Sequence, residues 1–536
     1  MDRKVKLLLI ATFLLLTTWI LYIAFNWTSF QNLRHDNALW VLDILNPFFY
    51  AILLCFGAIV WVSIWWGIEN KYFHIIEITI LGLILLCTPY FIAGLARFPD
   101  TFGVINNVYD LPQILGVSST LYPANYPLSY LLFSDIQKIV NIDLFFFSRI
   151  IFSPLIIVSQ LVLWYLFVKR LFNPKIAFCS AILAMPVLII EISITPNAVA
   201  IILMLSVLLL ITLGSLMGNI LATLLSLALI VAHPFEIILL AVFIGAMGIV
   251  DYFTRKESAV KNSTVKILYL LFIAGAWLGW SLFISPMGLS IIRYIGRMLN
   301  PETGLLANFL SRIFGDGINA WIQQLLQPAS ILLLLLTGVL VFLAIRKIHR
   351  NHRYSLSLAS IIKRIGNSQS ALLIASFVLG IISLVFYFFT AGGEQILSRS
   401  SNFAALSISA PIAAVFLSKL SKAKNNKRKA FNIFISLMVI LSLIAITSYP
   451  IYGYSRESYV SFSESYGAGL VFDEVKGTDQ TLVGKIIITE NMKYQALLKG
   501  ERYIDKFIIY QDTTQLSSTY DKIYSSGYYS IYLATG

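Results

Sequence analysis

An arginine and two aspartates stand close together where an apolar run empties into a polar loop. The segment reads Ala96-Arg97-Phe98-Pro99-Asp100, and Asp110 follows ten residues later. A carboxylate held within hydrogen-bond reach of a hydroxyl acts as a general base, so Asp100 is the first candidate for catalysis. Asp110 is a second acid, a substrate hydrogen-bonder or a surface residue. Arg97 either pairs with Asp100 or holds a phosphate through its planar fork. Ionisable groups beside a membrane surface are costly unless paired or used, which favours a working site over an ordinary solvated loop.

Further candidates are scattered along the chain. The loop runs to about Asp143 and includes Leu121-Tyr122-Pro123-Ala124-Asn125-Tyr126-Pro127-Leu128, rich in Tyr and Pro, with Tyr126 as a substrate contact. It leads into a modestly apolar stretch, Leu128 to Val140, too short to span and suited to an interfacial helix. Such a helix can frame a groove for a lipid tail or simply shield a bundle. His233-Pro234-Phe235-Glu236 marks a tight turn. There His233 is a hydrogen-bonded turn residue or, with Glu236, orients a substrate. Gly392-Gly393-Glu394 reads as a small loop, with Arg399 entering the next apolar run. An arginine at that depth needs an anion, either a lipid phosphate or a carboxylate such as Glu394. Arg293 and Arg297, four apart on one helix face, share that task or snorkel at the interface. Glu77 and Glu191 lie near the ends of apolar runs.

The elements that must position these residues are membrane helices. Of 536 residues 58% are hydrophobic and 12% charged, and the mean hydropathy is +0.82, far more apolar than a soluble domain allows. Runs long enough to cross a ~30 Å hydrocarbon core recur along most of the chain. The expected fold is an all-α polytopic bundle of about thirteen spans. They lie near 5–25, 47–66, 75–96, 144–168, 176–191, 196–213, 219–233, 235–253, 266–284, 329–346, 370–390, 401–418 and 431–449. The first is too long for a cleaved signal peptide and is expected to remain as an anchor.

Lysine and arginine set the expected orientation. With the N-terminus inside, the inner segments hold twenty-three of them and the outer loops before the last span hold seven, a positive-inside bias that places the N-terminus in the cytoplasm and the C-terminus outside. The net charge of +13 is thus mainly a topology signal. The basic runs lack the interleaved aromatic platform of a nucleic-acid binder, and no nucleic-acid partner is expected. The loops 97–143 and 285–328, the Ala391–Asn402 loop and the tail then face outward. The inner loops contain no phosphate-cradling GxxxxGK[ST]. Cys55, Cys87 and Cys179 fall inside spans without ligand spacing, so neither a metal nor another cofactor is expected. Asn26-Trp27-Thr28 is a glycosylation sequon just beyond the first span.

From Pro450 the composition shifts toward charge and Tyr. Short β-like runs appear at 485–489, 506–510 and 528–533, with a short helix at 491–498 between the first two. The chain accordingly divides into a transmembrane domain, 1–449, and a small outward α/β appendage, 450–536, near the lower size limit for a core of its own.

These features resemble the GT-C glycosyltransferases, membrane enzymes that take sugars from polyprenyl-phosphate carriers. The resemblance lies in the acidic outer loop, in Asn125-Tyr126-Pro127-Leu128, Arg149 and Lys169-Arg170-Leu171-Phe172, in Pro196-Asn197, His233-Pro234 and Arg399, and in the small C-terminal domain. It covers most of the chain through layout and short motifs. It implies an outward active site, a lipid-phosphate donor, Asp100 as the catalytic carboxylate and Asp110 as runner-up. The acceptor is a glycan, lipid or protein. In that family the acidic loop commonly follows the first span, whereas here it follows the third. Either two helices precede the family core, or the loop at 26–46 with Asp36 and Asp43 is the equivalent. The Trp-Trp-Asp type signature of oligosaccharyltransferases is missing, since Ile64-Trp65-Trp66-Gly67 falls on the inner side. A lipid-linked saccharide transporter or flippase, and a polysaccharide polymerase or ligase, are the rival expectations.

Overall fold

The computed structural model describes residues 2–31, 47–88, 91, 99–109, 111–112, 122–188, 194–254, 257–285, 367–389 and 393–421, and three strands at 507–511, 520–525 and 529–534. Helices dominate, as they must where hydrocarbon offers no partner to a backbone amide. In chain order they are α1 (Arg3–Gln31), α2 (Pro47–Trp65), α3 (Lys71–Gly82), α4 (Pro99–Tyr109), α5 (Tyr122–Asn125) and α6 (Leu128–Val140). Helix α7 (Leu144–Leu171) is followed by α8 (Pro174–Leu188), α9 (Pro196–Leu213), α10 (Leu216–Ala232), α11 (Glu236–Thr254), α12 (Glu257–Gly279), α13 (Asn367–Phe389) and α14 (Gly393–Ser421). Among the described residues six helices are long and apolar enough to cross a membrane: α1, α2, α7, α9, α11 and the stretch of α12 from Val265 to Ile284. Shorter apolar helices lie within α8, α10, α13 and α14. The expected spans 329–346 and 431–449 lie outside the described residues, and each of the others falls on a helix.

Local chemistry sets the helix ends. Pro47, Pro99, Pro174 and Pro196 each open a helix, where a missing amide proton costs nothing. Asn70 caps α3 by accepting from the amides of Tyr72 and Phe73. Thr195 caps α9 and Ser215 caps α10. Between the last two, Gly214 adopts φ +67°, a left-handed turn that glycine enters without strain.

Two ends of the bundle are distinguished by the charges and connections that gather there. One gathers Lys4, Lys71, Lys169, Arg170 and Lys175 and is the basic end. The other carries the long connections and is the loop end. The core between them is apolar and closely packed, with Phe49, Phe56, Trp164, Tyr165, Met204 and Leu240 sealed from solvent. Helices α3 and α7 approach so closely that a Cβ at Gly82 would stand 2.5 Å from Leu161 Cδ1. Helix α14 buries a small-residue face, including Ala404, Ala405, Ser407, Ala410 and Ala413, against α8 and α13, the packing that membrane helices favour. Polar side chains tie helices across the core. Trp164 Nε1 donates to Ser180 Oγ at 3.0 Å, and Ser180 meets Ser409 Oγ at 2.7 Å. Trp19 Nε1 donates to Thr88 Oγ1 at 2.9 Å.

The strands β1 (Phe507–Gln511), β2 (Tyr520–Ser525) and β3 (Tyr529–Ala534) form an antiparallel sheet in the order β1-β3-β2, with Phe507 opposite Leu533 and a register shift between Lys522 and Tyr524. Strands β1 and β3 coincide with two β-like runs of the sequence. The run at 485–489 and the helix at 491–498 lie outside the described residues.

One expectation is corrected. The Ala391–Asn402 segment is not a loop from Gly393 onward, because α14 begins there and carries both Glu394 and Arg399. The sequon Asn26-Trp27-Thr28 starts where the first apolar span, Arg3–Asn26, ends, while α1 itself continues through Gln31 and Asn26 Nδ2 donates to the Tyr22 carbonyl at 2.8 Å.

Candidate functional site at the loop end

Asp100 lies in the first turn of α4, directly after Pro99. Helix α4 buries Val104, Ile105 and Val108 against Tyr130 and Phe133 of α6 and against Phe147, Phe152 and Ile156 of α7. Phe133 meets Phe152 edge-on, with ring centroids 5.2 Å apart. Helix α6 occupies the thirteen residues from Leu128 to Val140 and ends on Asn141 in the left-handed region at φ 51°. It buries Ser129, Tyr130, Phe133 and Ser134 while Leu131, Leu132, Ile139 and Val140 stay exposed, the pattern of a helix lying along an apolar surface.

The turn after α5 is clasped to the far side of the bundle. Asn125 is buried, its Oδ1 accepts from Ser285 Oγ at 2.7 Å, and its carbonyl accepts from Trp280 Nε1 at 3.1 Å. Tyr126 is buried beside it. Burial pushes its hydroxyl pKa up, and a hydrogen bond with Ser285 opposes the shift. The hydroxyl of Tyr109 is pushed up by burial first and by the charge of Asp143 second. Ser285 directly follows the π-helical end of α12, so this clasp ties the segment around α5 to the end of α12.

His233 and Glu236 meet in a buried contact in the turn between α10 and α11, through His233 Nδ1 and Glu236 Oε2. The amide of His233 still donates to the Leu229 carbonyl at 3.0 Å as the cap of α10, and the Phe235 amide approaches Nδ1 at 3.4 Å. Nδ1 thus faces both the Glu236 carboxyl and the Phe235 amide, and these two contacts fix the imidazole orientation. Helix α10 packs against α6, which brings this turn to the same end as α4.

Glu394 and Arg399 sit five residues apart on α14. That separation turns them about 140° from each other around the axis, outside the i,i+3 and i,i+4 spacings of facing pairs. Arg97, Asp110, Arg293 and Arg297 lie outside the described residues. Among the described residues, no three of His, Cys, Asp and Glu converge on one point.

Two features of this end escape sequence reading. Three helices pass into π-helical turns there: α3 at Leu83–Cys87, α7 at Phe147–Phe152 and α12 at Trp280–Ile284. Such turns are frequent at functional sites. The second feature is a set of buried polar atoms with no hydrogen-bond partner among the described residues: Thr101 Oγ1, Ser129 Oγ, Ser148 Oγ, Trp277 Nε1, Ser281 Oγ and Ser400 Oγ. They come from α4, α6, α7, α12 and α14, and all lie toward the loop end. Buried polar groups are normally satisfied, so each of these atoms is a point at which a polar guest would find a partner. Single serines in apolar runs carry no sequence signal of this kind, because only the fold collects them.

The sequence matches no family model and no curated protein. In structure the chain is similar to an archaeal oligosaccharyltransferase. The apo enzyme of Archaeoglobus fulgidus aligns with 11% identity over 83% of this chain and 70% of its own, with a TM-score of 0.48. The same enzyme tethered to an acceptor peptide containing the NVT sequon aligns with 13% identity over 80% of this chain and 63% of its own, with a TM-score of 0.46. Archaeal AglB in complex with an inhibitory peptide and a dolichol-phosphate gives 12% identity, the same coverages and a TM-score of 0.40. The chain thus spans less than two thirds of the latter two.

Proposed function

We propose that this chain is a membrane glycosyltransferase of the GT-C type, passing a sugar from a polyprenyl-phosphate carrier to an acceptor hydroxyl at the loop end. The observation that supports this most is that the buried hydroxyls of Thr101, Ser129, Ser281 and Ser400 have no hydrogen-bond partner among the described residues. A polyhydroxylated sugar offers the donors and acceptors that such groups lack. The apolar exposed face of α6 suits a prenyl tail lying alongside.

In the proposed reaction Asp100 takes the proton from the acceptor hydroxyl as its oxygen attacks the anomeric carbon. The bond to the carrier phosphate breaks, and the phosphate departs with the electron pair. Arg399, with Arg293 and Arg297, neutralises the developing charge, and no metal is required. Arg97 and Asp110 flank the base. Tyr126, the His233–Glu236 pair and Glu394 orient the donor. The loop end faces outside the cell, where the acceptor is a glycan, a lipid or a protein. Residues 450–536 form a small outward cap. Ile64-Trp65-Trp66-Gly67 sits at the basic end, so the Trp-Trp-Asp element of oligosaccharide transfer to Asn has no counterpart at the loop end.

Purified protein with polyprenyl-phosphate-linked sugars tests this reading by thin-layer chromatography of the products. Asp100→Asn should lower turnover ~10²–10⁴-fold while donor-lipid binding persists. Near-normal turnover would remove Asp100 from the mechanism and direct attention to Asp110.

A further inference from the structure

The basic end holds a second concentration of chemistry, independent of the sugar site. The starts of α1, α3 and α8 meet the ends of α2 and α7 there, and these helices pack on one another. Lys4 Nζ stands 5.6 Å from the Trp66 ring. Lys175 Nζ reaches Glu69 Oε1 at 2.9 Å and lies against Gly67. Lys169, Lys175 and Glu69 all lie within electrostatic reach of His74, so these charges share one corner. Arg170 Nε donates to the Thr212 carbonyl at 3.4 Å, which ties its guanidinium to the end of α9.

The corner is strongly positive. Glu69 is held ionised, below the usual carboxylate range, by its hydrogen bond to Lys175, and so it cancels that one cation. Lys71 and Arg170 remain exposed and Lys169 half-exposed. The N-termini of α3 and α8 begin here and the C-termini of α2 and α7 end here, so their helix dipoles offset one another and the side-chain cations set the sign of the corner. Trp65, Trp66 and Tyr72 are exposed around it, the aromatic belt expected at headgroup depth.

We infer that this corner, formed by Lys71, Lys169 and Arg170 and rimmed by Trp65, Trp66 and Tyr72, binds the headgroup of an acidic phospholipid. Charge complementarity selects an anion. The position at the ends of apolar helices, within an aromatic rim, selects a lipid anion over a soluble one. A phosphodiester headgroup meets the cations while its acyl chains lie along the exposed apolar surface of the bundle.

Native mass spectrometry of the delipidated full-length protein tests this with phosphatidylglycerol and phosphatidylcholine as probes. Phosphatidylglycerol should be retained at least about tenfold better. A surface cation contributes about fivefold to such binding, so Lys169→Gln with Arg170→Gln should weaken retention about 25-fold. Lys266→Gln, which removes a cation already paired with Asp251, should leave it unchanged. Should the double variant not fold, retention by the parent must fall as salt rises. Equal retention of the two lipids, full retention in the folded double variant, an equal loss in Lys266→Gln, or insensitivity to salt would each overturn the assignment.

Discussion

Thr12 carries one hydroxyl hydrogen and has two acceptors in reach, the Leu8 carbonyl at 2.9 Å and Glu77 Oε1. Both contacts are made together when that hydrogen goes to Leu8 and the Glu77 carboxyl supplies its own to Thr12 Oγ1. A glutamine amide supplies a hydrogen equally well, so Glu77→Gln should shift stability by no more than about 1 kcal/mol. Thr12→Val removes a partner of a fully buried acid and should cost about 1–3 kcal/mol. In a background carrying Glu77→Leu the same Thr12→Val should cost far less. Thermal unfolding of the four proteins measures this, and an equal effect of Thr12→Val in both backgrounds would refute the pairing. The sequence reading placed Glu77 near a span end because the apolar run was counted from residue 75. Asn70 starts the helix earlier, which carries Glu77 into the bundle and opposite α1. The same error put Arg399 in a loop, since Gly392-Gly393 reads as a break whereas Gly393 is already the first residue of α14. For α3 the Asn70 cap set the boundary, and hydropathy alone does not report it.

At the scale of elements, the clasp between α5 and α12 is the part of the site that depends most on long-range folding. Asn125 and Ser285 are 160 residues apart, so no local pattern links them, although Asn125-Tyr126-Pro127 stands out as a turn. Asn125→Ala and Ser285→Ala each remove the same hydrogen bond and each should cost about 0.5–1.5 kcal/mol. The double variant should cost little more than either alone, because the two residues act through one contact. Limited proteolysis should also cut faster within 286–328 in all three variants while the helices stay protected. Additive losses of stability with unchanged cleavage would show that the clasp holds nothing in place. By contrast α6 was fully legible. Its thirteen residues are bounded by Pro127 before and by Asn141-Ile142-Asp143 after, and too few of them are apolar in series to span. Local composition decides a helix of that kind, and the structure returns the same ends.

For the molecule as a whole, the apolar runs dictate the helices because every backbone amide in hydrocarbon must find a partner within its own segment. The sheet was less legible. Strand β2, Tyr520–Ser525, alternates polar and apolar residues too weakly to stand out, and it is defined by pairing with β3. Orientation is the remaining global property, and the charges argue for it. Lys4, Lys71, Lys169, Arg170 and Lys175 collect at one end of the described bundle, while the loop end carries the acidic helix α4 and the His233–Glu236 turn. Because a membrane retains cationic segments on its cytoplasmic face, we propose that the basic end lies inside and the tail after Pro450 outside. In a background with Cys55, Cys87 and Cys179 replaced, Ser421→Cys at the end of α14 should resist an impermeant thiol reagent in intact cells and react after lysis. Ser518→Cys should react in both. Labelling of Ser421→Cys in intact cells together with protection of Ser518→Cys would invert the molecule. The candidate sugar site would then face the cytoplasm, and the acidic-lipid corner would face the outer leaflet.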